Sequence, residues 1–263
     1  MENKSLKTEK LSFSYEKNKE ILHSVDLEFQ TGAVTALIGA NGCGKSTLLK
    51  LLSGVLKPSC GNIFLDGKSL REYKQIELAR RIATVHQSMT APSDMTVYSL
   101  VLAGRTPYRK LLSGTSTDDR LAVKRAMRDT DTEKYAALPL SALSGGQLQR
   151  VRLAMALAQE TDILLLDEIT TYLDIHYQLE LLHLIRLLNL QKKLTVVAVL
   201  HDINLALEFC DNAVIMKDGC ITASGNVSKV ISEDTLNYAF DVSSRIISPC
   251  GKRYCIFEKR SKQ

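Results

Sequence analysis

One nine-residue segment constrains this chain more than any other feature. Residues 39–47 read Gly-Ala-Asn-Gly-Cys-Gly-Lys-Ser-Thr and match the pattern G-x-x-x-x-G-K-[ST]. An apolar run at 34–38 comes directly before the segment, and an apolar stretch with helical spacing at 45–53 begins inside it. The segment therefore predicts a strand, a glycine-rich turn and a helix in succession, which together form a phosphate-binding loop.

The residue types in this loop suit a polyphosphate ligand. Glycines let the backbone turn so that consecutive N–H groups face the phosphates, and the helix N-terminus adds about half a positive charge. Lys45 supplies a full charge, and the Ser46 hydroxyl is placed to bind a Mg²⁺ ion that bridges the outer phosphates. Cys43 is either a thiolate favoured by this electropositive setting or a small filler.

Composition allows a globular protein of one large domain or two closely packed subdomains. The chain has 263 residues, of which 45% are hydrophobic and 24% charged. Its net charge of +5 suits a phosphate-bearing ligand or an anionic membrane surface and does not require a nucleic acid. The apolar runs are too short to cross a bilayer and the start lacks an apolar signal, so we expect a soluble protein in the cytosol. The six cysteines have no metal-site spacing and are interpreted as thiols.

The hydrophobic pattern changes along the chain. Residues 1–87 hold short β-type runs and one helix, and residues 88–160 have helical periodicity only. Residues 161–240 alternate buried strands with helices, which indicates parallel β-α-β units, and include a hairpin turn at Asp218-Gly219. Residues 241–263 form a basic C-terminal tail to which we assign no function.

Several polar residues directly follow predicted buried strands. Asp167 and Glu168 come after the aliphatic run 163–166, His201 comes after 194–200, and Gln87 lies just beyond 82–85. In α/β sheets the carboxyl ends of strands open onto the ligand crevice. Asp167 is thus a candidate to hold Mg²⁺ through water, and Glu168 a candidate base for the water that attacks the γ-phosphate. A lone histidine or glutamine is by itself more typical of a structural or solvated position.

Residues 143–150, Leu-Ser-Gly-Gly-Gln-Leu-Gln-Arg, carry the most specific signal. Ser144 before two glycines and a helix is a helix N-cap, which alone would be an ordinary capped helix. The octet resembles the signature of ABC-transporter ATPases, and it stands in the family's order between the phosphate loop and Asp167. The resemblance covers the chain at least from Leu6 to Phe240. It implies an α/β fold of the P-loop NTPase class, with a parallel core sheet, an antiparallel β subdomain and an inserted helical subdomain.

The resemblance also implies the domain organisation and the residues that bind ATP. The chain would be a single ABC transporter domain, whose nucleotide-binding core, residues 1–87 and 161–240, is interrupted by a helical subdomain at 88–160 that carries the signature. The Walker A loop would consist of Gly39, Ala40, Asn41, Gly42, Cys43, Gly44, Lys45, Ser46 and Thr47. Tyr15 lies where the family has an aromatic side chain stacked on adenine, although a plain strand tyrosine remains an alternative.

The resemblance assigns the chemistry to a second set of residues. Asp167 matches the Walker B aspartate, Glu168 the catalytic glutamate, and His201 the switch histidine. Gln87 matches the Q-loop glutamine, so that Ser46, Gln87 and Asp167 would hold Mg²⁺. Asp174 lies in the D-loop.

A homodimer is implied in the same way. Ser144, Gly145, Gly146 and Gln147 of one subunit would contact ATP held by the other. Further partners would be integral-membrane permease subunits and, indirectly, an extracellular substrate-binding protein, with no nucleic acid. The subunit would lie peripherally on the cytoplasmic face of the cell membrane.

Two positions depart from the family pattern. Ala40 stands where proline is common, a mild change because only the backbone is used there. Ile169 stands where proline usually follows the catalytic glutamate, which leaves a more flexible peptide after Glu168 and affects the positioning, though not the identity, of the base.

Three further segments, 103–108, 170–174 and 200–204, resemble the subunits that energise import of iron chelates, such as siderophores or ferric citrate, and of cobalamin. We therefore expect an ATPase subunit of a bacterial iron-chelate importer. A cobalamin or haem importer is an alternative, as is a soluble ABC ATPase acting on ribosomes or nucleic acid. Against the last, we find no added arm or long basic patch in the sequence, whereas binding a polyanion usually needs a clustered cationic face. A small-molecule kinase would leave the 143–150 octet unused.

The sequence also offers candidate permease contacts, which are Met89, Tyr98, Arg105 and Tyr108. For residues 104–108 a plain loop after a helix is the alternative.

Overall fold

The computed structural model describes residues 5–16, 19–86, 91–109 and 114–258. The chain divides into two compact units, the first formed by Met1–Glu72 and Thr195–Gln263 and the second by Tyr73–Leu194. No helix in the described residues has the length and apolar character that a membrane span requires.

The first unit begins with the strands and the helix that surround the glycine-rich loop. In chain order they are β1 (Leu6–Glu16), β2 (Lys19–Phe29), β3 (Val34–Gly39), α1 (Lys45–Leu52), β4 (Cys60–Leu65) and β5 (Lys68–Ser69). β1, β2, β4 and β5 form an antiparallel sheet in the order β2-β1-β4-β5. Its buried side chains include Leu6, Leu11 and Leu22. This confirms the antiparallel β component of the predicted fold.

The second unit contains most of the helices. Its elements are α2 (Gln75–Ala79), β6 (Ile82–Val85), α3 (Val97–Ala103), α4 (Thr117–Asp129), α5 (Gly145–Ala158), β7 (Ile163–Leu166) and α6 (Ile175–Lys192). α5 packs against α3 and α4, and its buried face includes Val151, Leu153 and Ala154. β6 and β7 pair in parallel, with Val85 opposite Leu166 at their carboxyl ends.

The remaining elements return to the first unit. They are β8 (Thr195–Val199), α7 (Ile203–Phe209), β9 (Asn212–Lys217), β10 (Cys220–Asn226), α8 (Val227–Val230), α9 (Glu233–Phe240), β11 (Ser243–Ile247) and β12 (Tyr254–Glu258). β3 lies between β8 and β9 and is parallel to both, as the continuous apolar runs predict for strands buried on two faces. β10 pairs antiparallel with β9 across Asp218-Gly219, which confirms the predicted hairpin.

The end of the chain is more structured than its sequence indicates. Within the predicted C-terminal tail, β11 and β12 form an antiparallel hairpin beside α7 and α9. Asn204 on α7 exchanges two hydrogen bonds with the Cys255 backbone, at 2.7 and 3.2 Å. Arg253 donates to the carbonyls of Ser228 and Ile231. These tertiary bonds hold the hairpin on the unit.

Candidate nucleotide-binding site

The loop at 39–47 has the predicted strand-turn-helix structure. β3 ends at Gly39, and α1 begins at Lys45. Lys45 is 5% exposed, and its Nζ donates hydrogen bonds to the carbonyl oxygens of Gly39 at 2.7 Å and Ala40 at 2.9 Å. The lysine thus closes the loop on itself and holds a full positive charge inside it.

The start of α1 has the properties of an anion site. Its N-cap is Gly44, whose φ of 104° is a left-handed conformation that favours glycine, and no side chain caps the helix. Amides in the first turn of a helix have no intrahelical partner and carry the positive end of its dipole. Ala40, Asn41 and Gly42 are exposed ahead of it, and Ser46 is half-buried. This cradle fits a chain of phosphates.

Two other predicted site residues belong to the same unit. The Tyr15 hydroxyl lies 3.4 Å from Thr47 Oγ1, and Tyr15 is 57% exposed. The Leu200 amide donates to Leu37 on β3, so that His201 follows at the carboxyl end of the parallel strands, where the loop also begins. His201 is exposed. The first unit therefore places Tyr15 beside the phosphate-binding loop and His201 at the carboxyl end of the parallel strands, where that loop begins.

Cys43 is a buried thiol within the loop. Burial raises its pKa, although the Lys45 ammonium acts in the opposite direction. Its Sγ lies 3.9 Å from Lys45 Nζ. The raised pKa favours the interpretation of Cys43 as a small filler over that of a thiolate.

Asp167 and Glu168 lie at the carboxyl end of β7 in the second unit. The Asp167 amide donates to the Val85 carbonyl at 2.9 Å, and its side chain is buried. Glu168 is half-buried and has φ of 53°, which is uncommon for a residue with a side chain. Ile169, in the position where the family has proline, is 2% exposed and anchors the peptide by burial.

The octet at 143–150 contains the start of α5, which begins directly after Ser144. The Gln147 amide donates to Ser144 Oγ at 3.3 Å, and the Ser144 amide donates to Gln147 Oε1 at 2.9 Å, a reciprocal capping box. Gln147 Nε2 also donates to the Tyr135 hydroxyl at 3.1 Å. Ser144 and Gly145 are exposed beside the helix N-terminus. The serine N-cap is confirmed, and Gln147 is the partner that fixes it.

The second unit brings the signature against the start of α6. Asp174 is the N-cap of that helix and accepts the Tyr177 amide at 2.9 Å. A methyl group on Gly146 would lie 2.7 Å from the Tyr177 ring, and one on Gly145 would lie 3.9 Å from Leu173. Tyr177 and the neighbouring Gln178 were not identified from the sequence, because nothing distinguishes them from ordinary residues of an amphipathic helix.

The predicted permease contacts need one correction. Arg105 is 4% exposed, because its guanidinium bonds Asp119 at 3.0 Å, Glu160 at 2.9 Å and the Ala158 carbonyl at 2.8 Å. The prediction that Arg105 contacts a permease is therefore wrong, and its role is to hold the helices together. Tyr98 and Tyr108 are half-buried, and Tyr108 stacks 3.9 Å from the Arg105 guanidinium. Gln87 and Met89 lie outside the described residues.

Among the described residues there is no group of three or more His, Cys, Asp or Glu side chains arranged to hold a metal ion. Mg²⁺ usually keeps several waters and binds through one or two carboxylates together with substrate phosphates. Asp167 is the carboxylate that the sequence predicts for such a site.

Comparison with known proteins agrees with this geometry. A family model described as ABC transporter matches residues 22–171. The iron(3+)-hydroxamate import ATP-binding protein FhuC of Bacillus subtilis is 39% identical over 244 residues, which cover 93% of this chain and 90% of that protein. The ferric enterobactin transport ATP-binding protein FepC of Escherichia coli is 40% identical over 242 residues, which cover 92% and 89%. A dimeric bacterial ABC transporter cassette superposes with a TM-score of 0.73 at 28% identity and covers 84% of this chain and 98% of its own. The chain therefore belongs to the ABC transporter family, as one of its ATP-binding subunits.

Proposed function

We propose that this chain is the ATP-hydrolysing subunit of a bacterial importer for iron chelates. The observation that carries the cargo class is the 39–40% identity, over more than nine-tenths of the chain, to subunits named for import of iron(3+)-hydroxamate and ferric enterobactin. The buried Lys45 and the uncapped helix behind it support the ATP-binding half of the proposal. Cobalamin and haem importers are the alternatives that an uptake assay would separate.

Each predicted site residue has a role in this proposal. Residues 39–47 hold the phosphates of ATP, with Lys45 neutralising their charge, and Tyr15 stacks on the adenine. Glu168 is the base that accepts a proton from the attacking water, and His201 stabilises the charge that develops on the γ-phosphate. Ser46, Gln87 and Asp167 would hold Mg²⁺, which when bound neutralises charge on the outer phosphates.

The proposal extends to a homodimer. Ser144, Gly145, Gly146 and Gln147 would contact ATP bound to the second copy, and Asp174 would lie beside that contact. The exposed Ser144 and Gly145 at a helix N-terminus support this role, because such a terminus attracts anions. The superposable cassette, which is a dimer, supports the assembly.

Closure of the dimer on ATP and its reopening after hydrolysis would move attached permease subunits in the membrane. We propose that the protein lies peripherally on the cytoplasmic face of the membrane, and that an extracellular binding protein delivers the chelate to the permease. This arrangement is supported by the two relatives, FhuC and FepC, which are named as import and transport ATP-binding proteins.

Substitution of the proposed base tests the catalytic assignment. We expect Glu168→Gln to keep ATP binding within about twofold of wild type and to lower kcat by at least about a hundredfold, because general-base catalysis contributes at this level. ATP should also convert the variant to a stable dimer in size-exclusion chromatography. The control is Glu258→Gln, an exposed carboxylate at the end of β12. Full ATPase activity in Glu168→Gln would reject the assignment.

Two measurements test the transport role. The tagged subunit should copurify from membranes with a multispan protein, and deletion of its gene should abolish uptake of a ferric siderophore. Normal siderophore uptake combined with loss of cobalamin or haem uptake would reassign the cargo. Recovery with ribosomes and without a membrane protein would contradict an importer subunit.

A further inference from the structure

The segment between Glu168 and α6 is built from two tight turns. The Thr171 amide donates to the Glu168 carbonyl at 3.1 Å, and the Leu173 amide donates to the Thr170 carbonyl at 3.3 Å. Glu168 and Tyr172 have φ values of 53° and 65°. Non-glycine residues stay in this conformation only where the surrounding structure imposes it. The loop therefore needs an external restraint.

Gln178 supplies such a restraint. Its side-chain Nε2 donates to the Leu173 carbonyl at 2.9 Å and to the Thr170 carbonyl at 3.2 Å, the two ends of the second turn. The two bonds use both protons of the amide group. The Gln178 backbone is fixed in turn, because its N–H donates to the Asp174 carbonyl at 2.9 Å in the first turn of α6.

The same helical turn is anchored on its other side. The Tyr177 ring occupies the space that any side chain at position 146 would need, so that α6 lies directly against the first turn of α5. Asp174 caps α6 through the Tyr177 amide. The first turn of α6 thus joins the signature helix to the loop that begins at Glu168.

We propose that Gln178 is a positioning residue for ATP hydrolysis. Its amide fixes the shape of residues 168–174, and through that shape it sets the positions of Glu168 and Asp174. The buried Ile169 at the start of the loop and the Gln178 amide bonded to its second turn together restrain this loop. This inference rests on the proposed role of Glu168 as the base.

Gln178→Met removes both donors and keeps the length of the side chain. A small displacement of a reacting group can cost about a hundredfold in rate, so we expect kcat to fall between about tenfold and a hundredfold. ATP affinity should stay within about twofold, because residues 39–47 are unchanged. The matched control is Gln191→Met, an exposed glutamine near the end of the same helix, which should leave kcat unchanged. An unchanged kcat in Gln178→Met, or an equal loss in the control, would overturn the proposal.

Gln178→Glu separates hydrogen-bond donation by this side chain from a role in packing alone, which would not depend on pH. A carboxylate cannot donate to the two carbonyls, whereas a protonated carboxyl can donate to one of them. The ratio of the variant's kcat to that of wild type should therefore rise as the pH is lowered from about 8 to 6, since two carbonyl oxygens beside a half-buried carboxyl group raise its pKa. A ratio that does not change with pH would contradict the donor role.

Amide hydrogen exchange separates failure of this inference from failure of the proposed function. Without nucleotide, Gln178→Met should exchange the amides of Thr171 and Leu173 at least about tenfold faster than wild type, with the α5 amides unchanged. Faster exchange in a protein that hydrolyses no ATP would reject the function and retain the restraint. Unchanged exchange at these amides would reject the restraint, whatever the ATPase activity.

Discussion

At the scale of single residues, the phosphate loop controls the chemistry of Cys43. The side chain is 5% exposed, and burial raises the pKa of its thiol. Cys60, Cys220 and Cys250 are exposed thiols. Since the thiolate is the reactive form, we expect iodoacetamide at about pH 7 to alkylate Cys43 at least about tenfold more slowly than the exposed cysteines. Peptide mass spectrometry over time measures the four rates, and preferential labelling of Cys43 would contradict the buried, protonated thiol.

Asp119 is a second residue whose environment leads to a prediction. Burial alone would raise its pKa, but hydrogen bonds from Ser116 and Arg105 outweigh this effect and hold the pKa below its ordinary value of 3.8. A carboxylate with a lowered pKa stabilises the fold above its ordinary pKa, and the contribution is lost as the pH falls through the folded-state value.

Asp119→Asn should therefore lower the free energy of unfolding by about 2 kcal/mol at neutral pH, the size of a charge-assisted hydrogen bond. The difference from wild type should shrink as the pH falls below about 4. Urea unfolding at several pH values measures it, with the exposed Asp118→Asn on the same helix turn as control. A difference that grows in acid would contradict the ion pair.

At the scale of secondary-structure elements, the contact between α5 and α6 depends on Gly146. A β-carbon at this position would lie 2.7 Å from the Tyr177 ring, which is closer than van der Waals contact. We expect Gly146→Ala to lower the free energy of unfolding by about 1–3 kcal/mol through overpacking. Gly146→Ala combined with Tyr177→Ala should be less destabilised than the sum of the two single variants in urea unfolding. Strict additivity would show that the two residues do not contact.

The elements that the sequence predicts well are those whose pattern is local. The runs at 82–85 and 163–166 have the same bounds as β6 and β7, because strands buried on both faces are continuously apolar. α5 begins at Gly145, directly after the predicted Ser144 cap, because a capping residue is also a local signal. The β11–β12 hairpin was missed because it is held by two tertiary contacts. Asn204 lies 51 residues before its partner Cys255, and no local sequence pattern indicates that Arg253 bonds the Ile231 carbonyl.

The same distinction holds for the candidate site. The Lys45 loop and the Ser144 cap follow from spacing within a few residues. The buried position of Arg105 could not be predicted, because its partners Asp119 and Glu160 are 14 and 55 residues away. Gln178 was missed for a related reason, since its bonds are local but only the fold of the 168–174 loop turns the two carbonyls toward it.

At the scale of the whole molecule, the account rests on family membership and on one physical claim. Family membership assigns an ATP-binding subunit, and the names of two relatives support the proposed iron-chelate cargo. The physical claim is that the backbone amides ahead of Lys45 hold the triphosphate of ATP, with Mg²⁺ beside it. Every proposed role of Glu168, Ser144 and Gln178 depends on that claim.

Isothermal titration calorimetry of the folded protein with ATP tests this claim most directly. We expect saturable binding that strengthens when Mg²⁺ is present and that weakens by about tenfold to a hundredfold in Lys45→Ala, the effect of losing one hydrogen bond between charged groups. Lys50→Ala, on the same helix and outside the loop, should bind as wild type does. The absence of Mg²⁺-dependent ATP binding by the wild-type protein, or equal affinity in Lys45→Ala, would contradict the account.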